Sequence, residues 1–343
     1  HANKFLSTAD ALKLYKLEQL ELEANAIGAE LSSKDKMEKD KIIEACEGSA
    51  LAAAQVVIVT CATAGHAQLL PLAFNPVIID EATQSTEPES LIPITRGCHQ
   101  LVLVGDDKQL GPVVGDEATS RAGLGEPLFN RLIACGVVEP LMLQYQYRMH
   151  PSLSQFPSRE FYDGQLLDGV TAEARTSTVH FPWVTEEPLL FHVLRGTEHS
   201  GGASGTSRYN EEEAHAIVHA VAALLQGGVA ADQVGVVAPY AEQQQLITRL
   251  LLSAADKAPL GDVTSVSVAA VESFQGQERD YICVSFVRSG GSIGFVSDPR
   301  RLCVALTRAR RGLYMVGNAP TLASKSDVFR RMISDLDNRG VLV

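Results

Sequence analysis

From residue 55 onward the sequence alternates short β-branched runs with loop residues and helical stretches, and it does so twice. That alternation restricts the chain to α/β layers built on parallel sheets. Residues 56–60, 77–80 and 101–105 form the first set of runs. Residues 141–144, 189–193, 234–238, 263–268, 281–287 and 313–317 form the second, and such continuous apolar runs suit strands covered on both faces. Two sets predict two α/β domains joined near residues 136–140, with no internal repeat. The spacing predicts a helix over residues 211–226, capped by Asn210 with Glu213 three residues on and stopped by Gly227. Residues 195–207, rich in Gly and Ser, read as a flexible loop inside the second domain.

Ahead of the alternation, residues 1–50 read as a helical hairpin, in which Leu17, Leu20, Ala24, Ile27 and Leu31 recur at helical spacing. Ser32 or Ser33 caps the second helix, and the charged run 34–41 reads as a solvated face. The expected domains are therefore 1–50, 51–138 and 139–343. With 45% hydrophobic and 20% charged residues the chain can bury full-sized cores. Six scattered cysteines, with no Cys-x-x-Cys pair, read as reduced thiols of a cytoplasmic or nuclear protein. The net charge of −12 has the wrong sign for a broad basic face, so any nucleic-acid contact is expected in a local groove. No apolar run reaches the length of a bilayer crossing, which predicts no membrane partner, and the His1-Ala2-Asn3-Lys4 start lacks the regions of a signal peptide. A first residue other than Met reads as the start of a fragment.

Chemistry concentrates at the ends of the predicted strands. Val77-Ile78-Ile79 runs into Asp80-Glu81, where one carboxylate can hold Mg²⁺ and the other can orient or deprotonate a water; the same pair can also simply open a polar loop. The next strand leads into Gly105-Asp106-Asp107-Lys108-Gln109, which places Gln109 near the same phosphate or else forms a polar turn. In Tyr147-Arg148-Met149-His150-Pro151 the ring can stack on a base and the guanidinium can reach a phosphate, although an arginine there can equally sit in a surface ion pair. Arg300, Arg301, Arg308, Arg310 and Arg311 fall within one short segment, read as helical and as an anion-binding cluster.

In this order, Asp80-Glu81-Ala82-Thr83-Gln84, Gly105-Asp106 with Gln109-Leu110, Tyr147 to Pro151, Phe274-Gln275-Gly276 with Glu278, and Val304-Ala305-Leu306-Thr307-Arg308-Ala309-Arg310 resemble motifs of superfamily-one helicases. Gly205-Thr206-Ser207, Ala238-Pro239-Tyr240 and Asp298-Pro299-Arg300-Arg301-Leu302 bring the chain closer to the up-frameshift RNA helicases of nonsense-mediated decay. The resemblance implies two RecA-like domains with parallel sheets, the first incomplete, and makes the opening hairpin an insertion into the first. It implies an ATP-dependent motor stepping 5′ to 3′ on single-stranded RNA, or in a relative on DNA or RNA–DNA hybrids, as a monomer in the cytoplasm or nucleus. Decay-factor proteins would bind through regions outside this chain. By the same resemblance, Asp80 would hold the Mg²⁺ of MgATP, Glu81 would be the general base and Gln109 would sense the γ-phosphate, with Gln84 also at the nucleotide. Tyr147 would stack on adenine, Arg148 and Arg308 would be arginine fingers, and Gly276 and Glu278 would contact phosphate or ribose. Thr60, Thr63 and Thr206 would touch nucleic acid. A scaffold without activity is the rival reading. The chain departs from the family pattern with Cys303 where Asn is common and Glu272 where Asp is common, and it contains no Gly-x-x-x-x-Gly-Lys-[Ser/Thr] loop, which is expected upstream of residue 1.

Overall fold

The computed structural model describes residues 8–176, 179, 181–202 and 205–343. The first seven residues of the expected hairpin, and Ala203 and Ser204 of the Gly- and Ser-rich stretch, lie outside the described residues. The chain divides into two compact units, one running to Gly105 and including Gly111–Cys135, the other made of Asp106–Leu110 with Gly136–Val343.

The first unit opens with helices α1 (Thr8–Ala26) and α2 (Ser33–Ala53). Ser32 caps α2, its hydroxyl oxygen accepting from the Asp35 N–H at 3.2 Å. Leu17, Leu31, Ile42 and Cys46 are buried, but Leu20 and Ile27 of the expected apolar stripe are 48% and 82% exposed. Two helices cover only a narrow seam, which leaves the flanks of the stripe to water. The charged run sits in ion pairs, Lys36 with Glu30 at 2.6 Å and Lys39 with Glu21, while Glu38 meets Lys13. Such exposed pairs add little stability.

Residues 56–60 form no strand among the described residues, and Val56 and Ile58 are 76% and 91% exposed. β-propensity alone does not make a strand; a ladder partner is required. Strands β1 (Val77–Ile79) and β2 (Leu101–Leu103) find each other, parallel and in register from Val77↔Leu101 to Ile79↔Leu103. Helix α3 (Glu87–Ile94) lies between them in sequence, and α4 (Glu117–Thr119) and α5 (Leu128–Ala134) follow. Val77, Ile79 and Ala82 pack with Phe74, Ile94, Leu101, Leu103 and Phe129, and Arg131 on α5 grips Glu87 on α3 with two bonds of 2.6 and 2.7 Å.

The second unit begins with a short parallel pair, β3 (Tyr145–Gln146) and β4 (Leu167–Asp168), flanking helix α6 (Pro151–Phe161). The expected strand at 141–144 therefore starts later, since Leu141 and Leu143 are 85% and 76% exposed and the pairing with β4 begins at the Gln144 carbonyl, which accepts from the Leu167 N–H at 2.7 Å. Next come β5 (Leu189–Val193) and the antiparallel hairpin of β6 (His199–Gly201) and β7 (Ser207–Tyr209), found where a loop was expected. The alternation then resumes through α7 (Glu211–Gln226), β8 (Val234–Val237), α8 (Ala241–Ala255), β9 (Ser267–Ala269), β10 (Arg279–Ser285), α9 (Pro299–Leu306), β11 (Ala309–Gly317), α10 (Ala319–Lys325) and α11 (Asp327–Asn338). The main sheet is entirely parallel, in the order β5-β11-β10-β8-β9.

Alternation along its central strands explains its double cover. Ile282, Val284, Leu313 and Met315 join one core with residues of α6, α9 and α11, while Tyr281, Cys283, Tyr314 and Val316 join the other with α7 and α8. Helix α7 has the expected bounds, with the Asn210 side chain accepting from the Glu213 N–H at 3.2 Å. Its Glu213 does not reach back to the cap backbone, because the Asn210 N–H is taken by Gln243. Instead the fully buried Glu213 carboxylate accepts from the Ser285 hydroxyl and the Val287 N–H, both at 2.7 Å.

Burial pushes the Glu213 carboxyl up to about 8, with the bonds from Val287 and Ser285 offsetting only part of that rise. A folded-state value above the unfolded one means a stabilising contribution complete below the unfolded value and lost as pH rises through the folded value. Thermal unfolding of the wild type should therefore shift to lower temperature between about pH 5 and about pH 9, and Glu213→Gln should flatten that slope in calorimetry.

Candidate functional site

The acidic pair belongs to the first unit. Strand β1 ends at Ile79, and the ladder continues past it through the Ala82 N–H to the Val104 carbonyl at 2.8 Å. Asp80 and Glu81 are both exposed at this carboxyl edge. The Glu81 N–H donates to Asp80 Oδ1 at 3.0 Å, and the Gln84 amide donates to Glu81 Oε2 at 2.7 Å. Glu81 has φ of 52°, in the left-handed region that a residue with a Cβ seldom occupies. This kink turns the chain so that consecutive acids stand at one strand end. Below them Gly105 admits no side chain, since a Cβ there would lie 2.9 Å from Thr83 Cγ2. Mg²⁺ is commonly held by one or two carboxylates, with phosphates and waters completing six oxygens, and the exposed Asp80 carboxylate fits that donor set. Thr60 and Thr63, also in this unit, share a hydroxyl–hydroxyl bond of 2.8 Å at the start of a 3₁₀ turn and are exposed.

The second unit gathers most of the remaining predicted residues. Arg308 is 2% exposed. Its guanidinium donates to the carbonyls of Val304 (3.1 Å), Gln277 (3.4 Å) and Phe274 (3.5 Å), to the Thr307 hydroxyl (2.9 Å) and to Gln109 Oε1 (3.1 Å). Gln109 belongs to this unit with the rest of Asp106–Leu110, and its Nε2 donates to Asp106 Oδ2 at 2.6 Å. Arg148 donates to Glu278 Oε2 at 2.6 Å and to the Thr307 carbonyl at 3.0 Å. Partial burial raises the Glu278 carboxyl, but the bond and charge of Arg148, with Arg310, outweigh it and hold the group below its ordinary range. Gly276 is exposed with φ of 72°, so the turn before Glu278 depends on glycine.

The Tyr147 ring is 65% exposed, and a Cβ at Gly169 would lie 2.3 Å from its Cε1, so the ring rests on bare backbone. The turn beneath it is pinned twice. Gln146 Oε1 accepts from the N–H groups of Arg148 and Met149 at 2.9 and 2.7 Å, and Arg175 donates to the carbonyls of Arg148 and Tyr147 at 2.7 and 2.6 Å. Thr206 stands apart, exposed beside the β6–β7 hairpin.

Two sequence expectations change. The five arginines do not share a helix: Arg300 and Arg301 lie on α9, Arg308 follows it, and Arg310 and Arg311 lie on β11. They are not one anion site either, because Arg301 pairs with Glu272 (2.9 Å), Arg310 with Asp280 (2.8 Å), and Arg311 with Asp280 (3.3 Å). Arg175, Gln146, Tyr162 and the Asp106 carboxylate were missed as parts of the site. Asp106 lies inside a recognised motif and Gln146 adjoins one, whereas Arg175 and Tyr162 carry no local signal.

A family model described as an AAA domain matches residues 124–320, and a second model of the same description matches residues 7–117. The fold and both matches thus make this an AAA-domain protein. It is 43% identical over 346 residues to "Regulator of nonsense transcripts 1 homolog" of Arabidopsis thaliana, covering 99% of this chain and 27% of that one. It is 41% identical over 347 residues to "ATP-dependent helicase upf1" of Schizosaccharomyces pombe, covering 99% and 37%. Among solved structures, that of the PRRSV helicase overlaps 73% of this chain and 36% of that chain at 15% identity and a TM-score of 0.39. Over nearly its whole length the chain is thus similar to these regulators of nonsense transcripts. It spans well under half the length of these two curated relatives.

Arg175→Ala should loosen the pinned turn without opening the sheet. Hydrogen exchange should speed up across residues 146–149 and stay unchanged in β10 and β11; unchanged exchange at the turn would show that Gln146 alone holds it.

Proposed function

We propose that these residues are the ATP-hydrolysing part of a helicase that steps 5′ to 3′ along single-stranded RNA, acting within a longer polypeptide that supplies a phosphate-binding loop. The contact between Gln109 and Arg308, inside a chain of this family, carries the reading, because it joins an amide suited to sensing a phosphate to a cation suited to stabilising one. On this reading Asp80 holds the Mg²⁺ of MgATP, and the ion, when bound, offsets phosphate charge. Glu81 takes the proton from the attacking water, and the Gln84 amide on Glu81 Oε2 turns the carboxylate toward it. Arg308 and Arg148 stabilise charge developing on the transferred phosphoryl group. Arg148 must exchange Glu278 for phosphoryl oxygens to do so, which frees Glu278 for the ribose region beside Gly276. Tyr147 stacks on adenine with the exposed part of its ring, which Gly169 does not cover. Thr60, Thr63 and Thr206 supply hydroxyls to the nucleic-acid backbone in a sequence-independent grip. Decay factors bind through other regions of the longer protein.

Glu81→Gln in the longer polypeptide should leave ATP binding intact and abolish turnover, since an amide keeps the shape but takes no proton. Hydrolysis near the wild-type rate would remove Glu81 as the base.

Arg308→Ala and Arg148→Ala should each lower turnover by roughly three orders of magnitude while leaving nucleotide-free RNA binding within about twofold. Equal loss of RNA binding would make them strand contacts instead.

The chain by itself should release no phosphate from ATP, with or without RNA, because no segment in it replaces the backbone N–H groups and lysine of a phosphate-binding loop. Adding a segment that carries such a loop should restore RNA-stimulated hydrolysis. Glu81-dependent turnover by the chain alone would overturn this assignment.

A further inference from the structure

The Asp106 carboxylate is shared. Its Oδ2 accepts from Gln109 Nε2 at 2.6 Å and from the Tyr162 hydroxyl at 2.7 Å. Tyr162 follows α6 as its C-cap, packs against the core that contains Leu110, and lies with its hydroxyl 3.4 Å from the buried Cys303 Sγ. Burial, with Cys303 and Asp106 close by, holds this phenol far above its ordinary titration range, so it remains a proton donor. Asp106 is acceptor-only when ionised, and the guanidinium of Arg308 is donor-only. The Gln109 amide between them therefore has one satisfactory orientation, with Nε2 toward Asp106 and Oε1 toward Arg308. Turned over, it would set oxygen against carboxylate and NH₂ against guanidinium.

We infer that Tyr162 is a positioning residue for the hydrolysis reaction: its hydroxyl fixes the Asp106 carboxylate, which orients the Gln109 amide and through it the Arg308 guanidinium. The inference rests on the roles proposed above for Gln109 and Arg308. Without the hydroxyl, Oδ2 loses one of its two donors, and the carboxylate, held at Oδ1 by the Lys108 N–H at 3.0 Å, can turn about that bond. The amide is then free to turn, and the Arg308 guanidinium loses the Gln109 acceptor. A half-buried network of this kind works through complete satisfaction, so deleting one member loosens the others. Cys303 closes the far side of the hydroxyl. Burial pushes its thiol up to about 12, so it stays neutral and brings no second charge to this hydroxyl.

The test uses Tyr162→Phe, which keeps the ring in its packing and removes only the oxygen. In the longer polypeptide, RNA-stimulated kcat should fall about tenfold, while KM for ATP and nucleotide-free RNA affinity change by less than about twofold, the pattern of misplaced groups rather than lost binding. In a Gln109→Ala background the same substitution should have no further effect, since its influence passes through that amide. In this chain alone, hydrogen exchange across residues 106–110 should rise in Tyr162→Phe and remain unchanged in β8 and β10. Unchanged exchange at 106–110, or a tenfold loss that persists in the Gln109→Ala background, overturns the positioning role. A uniform fall in melting temperature with kcat per folded molecule unaltered overturns it too. Full turnover by Gln109→Ala alone would instead sink the phosphate-sensing role of Gln109, an outcome the exchange measurement separates from failure of the Tyr162 anchor.

Discussion

Burying the Arg308 guanidinium is the constraint around which the second unit is arranged. A cation removed from water costs several kcal/mol unless its donors are met, and a guanidinium presents five of them in a fixed plane. Here they are met largely by carbonyls freed where regular structure stops. Val304 lies near the end of α9, and Phe274 and Gln277 flank the turn that precedes β10. The ends of these elements must therefore converge on one point, and the sheet order that places β10 beside β11 lets them do so. Besides the adjacent Thr307 hydroxyl, the Gln109 amide is a side-chain acceptor, brought in by a five-residue segment whose Leu110 is anchored in the same core. An arginine committed in this way is poorly suited to sweeping over a surface and well suited to staying in place while a ligand arrives, which is what preorganised charge stabilisation requires.

Periodicity made most of the second unit readable. Residues 189–193 and 211–226 fall within the bounds expected of them, because a buried parallel strand and a capped amphipathic helix each leave an unbroken local pattern. The pattern failed where a partner decides the outcome. Residues 56–60 and 141–143 have strand composition, yet the described residues give them no ladder neighbour. The 195–207 stretch looked like loop because Gly and Ser dominate it, and its hairpin depends on cross-strand pairing of His199 with Tyr209 and Gly201 with Ser207. At the site, residues inside motifs could be named from order alone. Tyr162 and Arg175 could not, since each acts on a segment far away in sequence.

The acidic excess of the chain and its arginine-rich segment are also reconciled at the level of individual pairs. Asp280 alone engages Arg310 and Arg311, and Glu278 engages Arg148 and Arg310. These half-buried ion pairs set orientation more than they add stability. They keep long cationic side chains in defined rotamers beside Arg308, so clustering of like charge in sequence becomes alternation of opposite charge in space.

The backbone of Glu81 carries a different implication. With φ of 52° the position would be more comfortable for glycine or asparagine, and a longer side chain there costs on the order of 1 kcal/mol in local strain. On the role proposed for Glu81, stability and chemistry pull this residue in opposite directions: a variant library sorted for thermal resistance would enrich Glu81→Gly and Glu81→Asn, whereas one sorted for turnover would restore the acid. A residue that is worse for the fold and kept by the reaction is a local mark of function that needs no knowledge of the ligand.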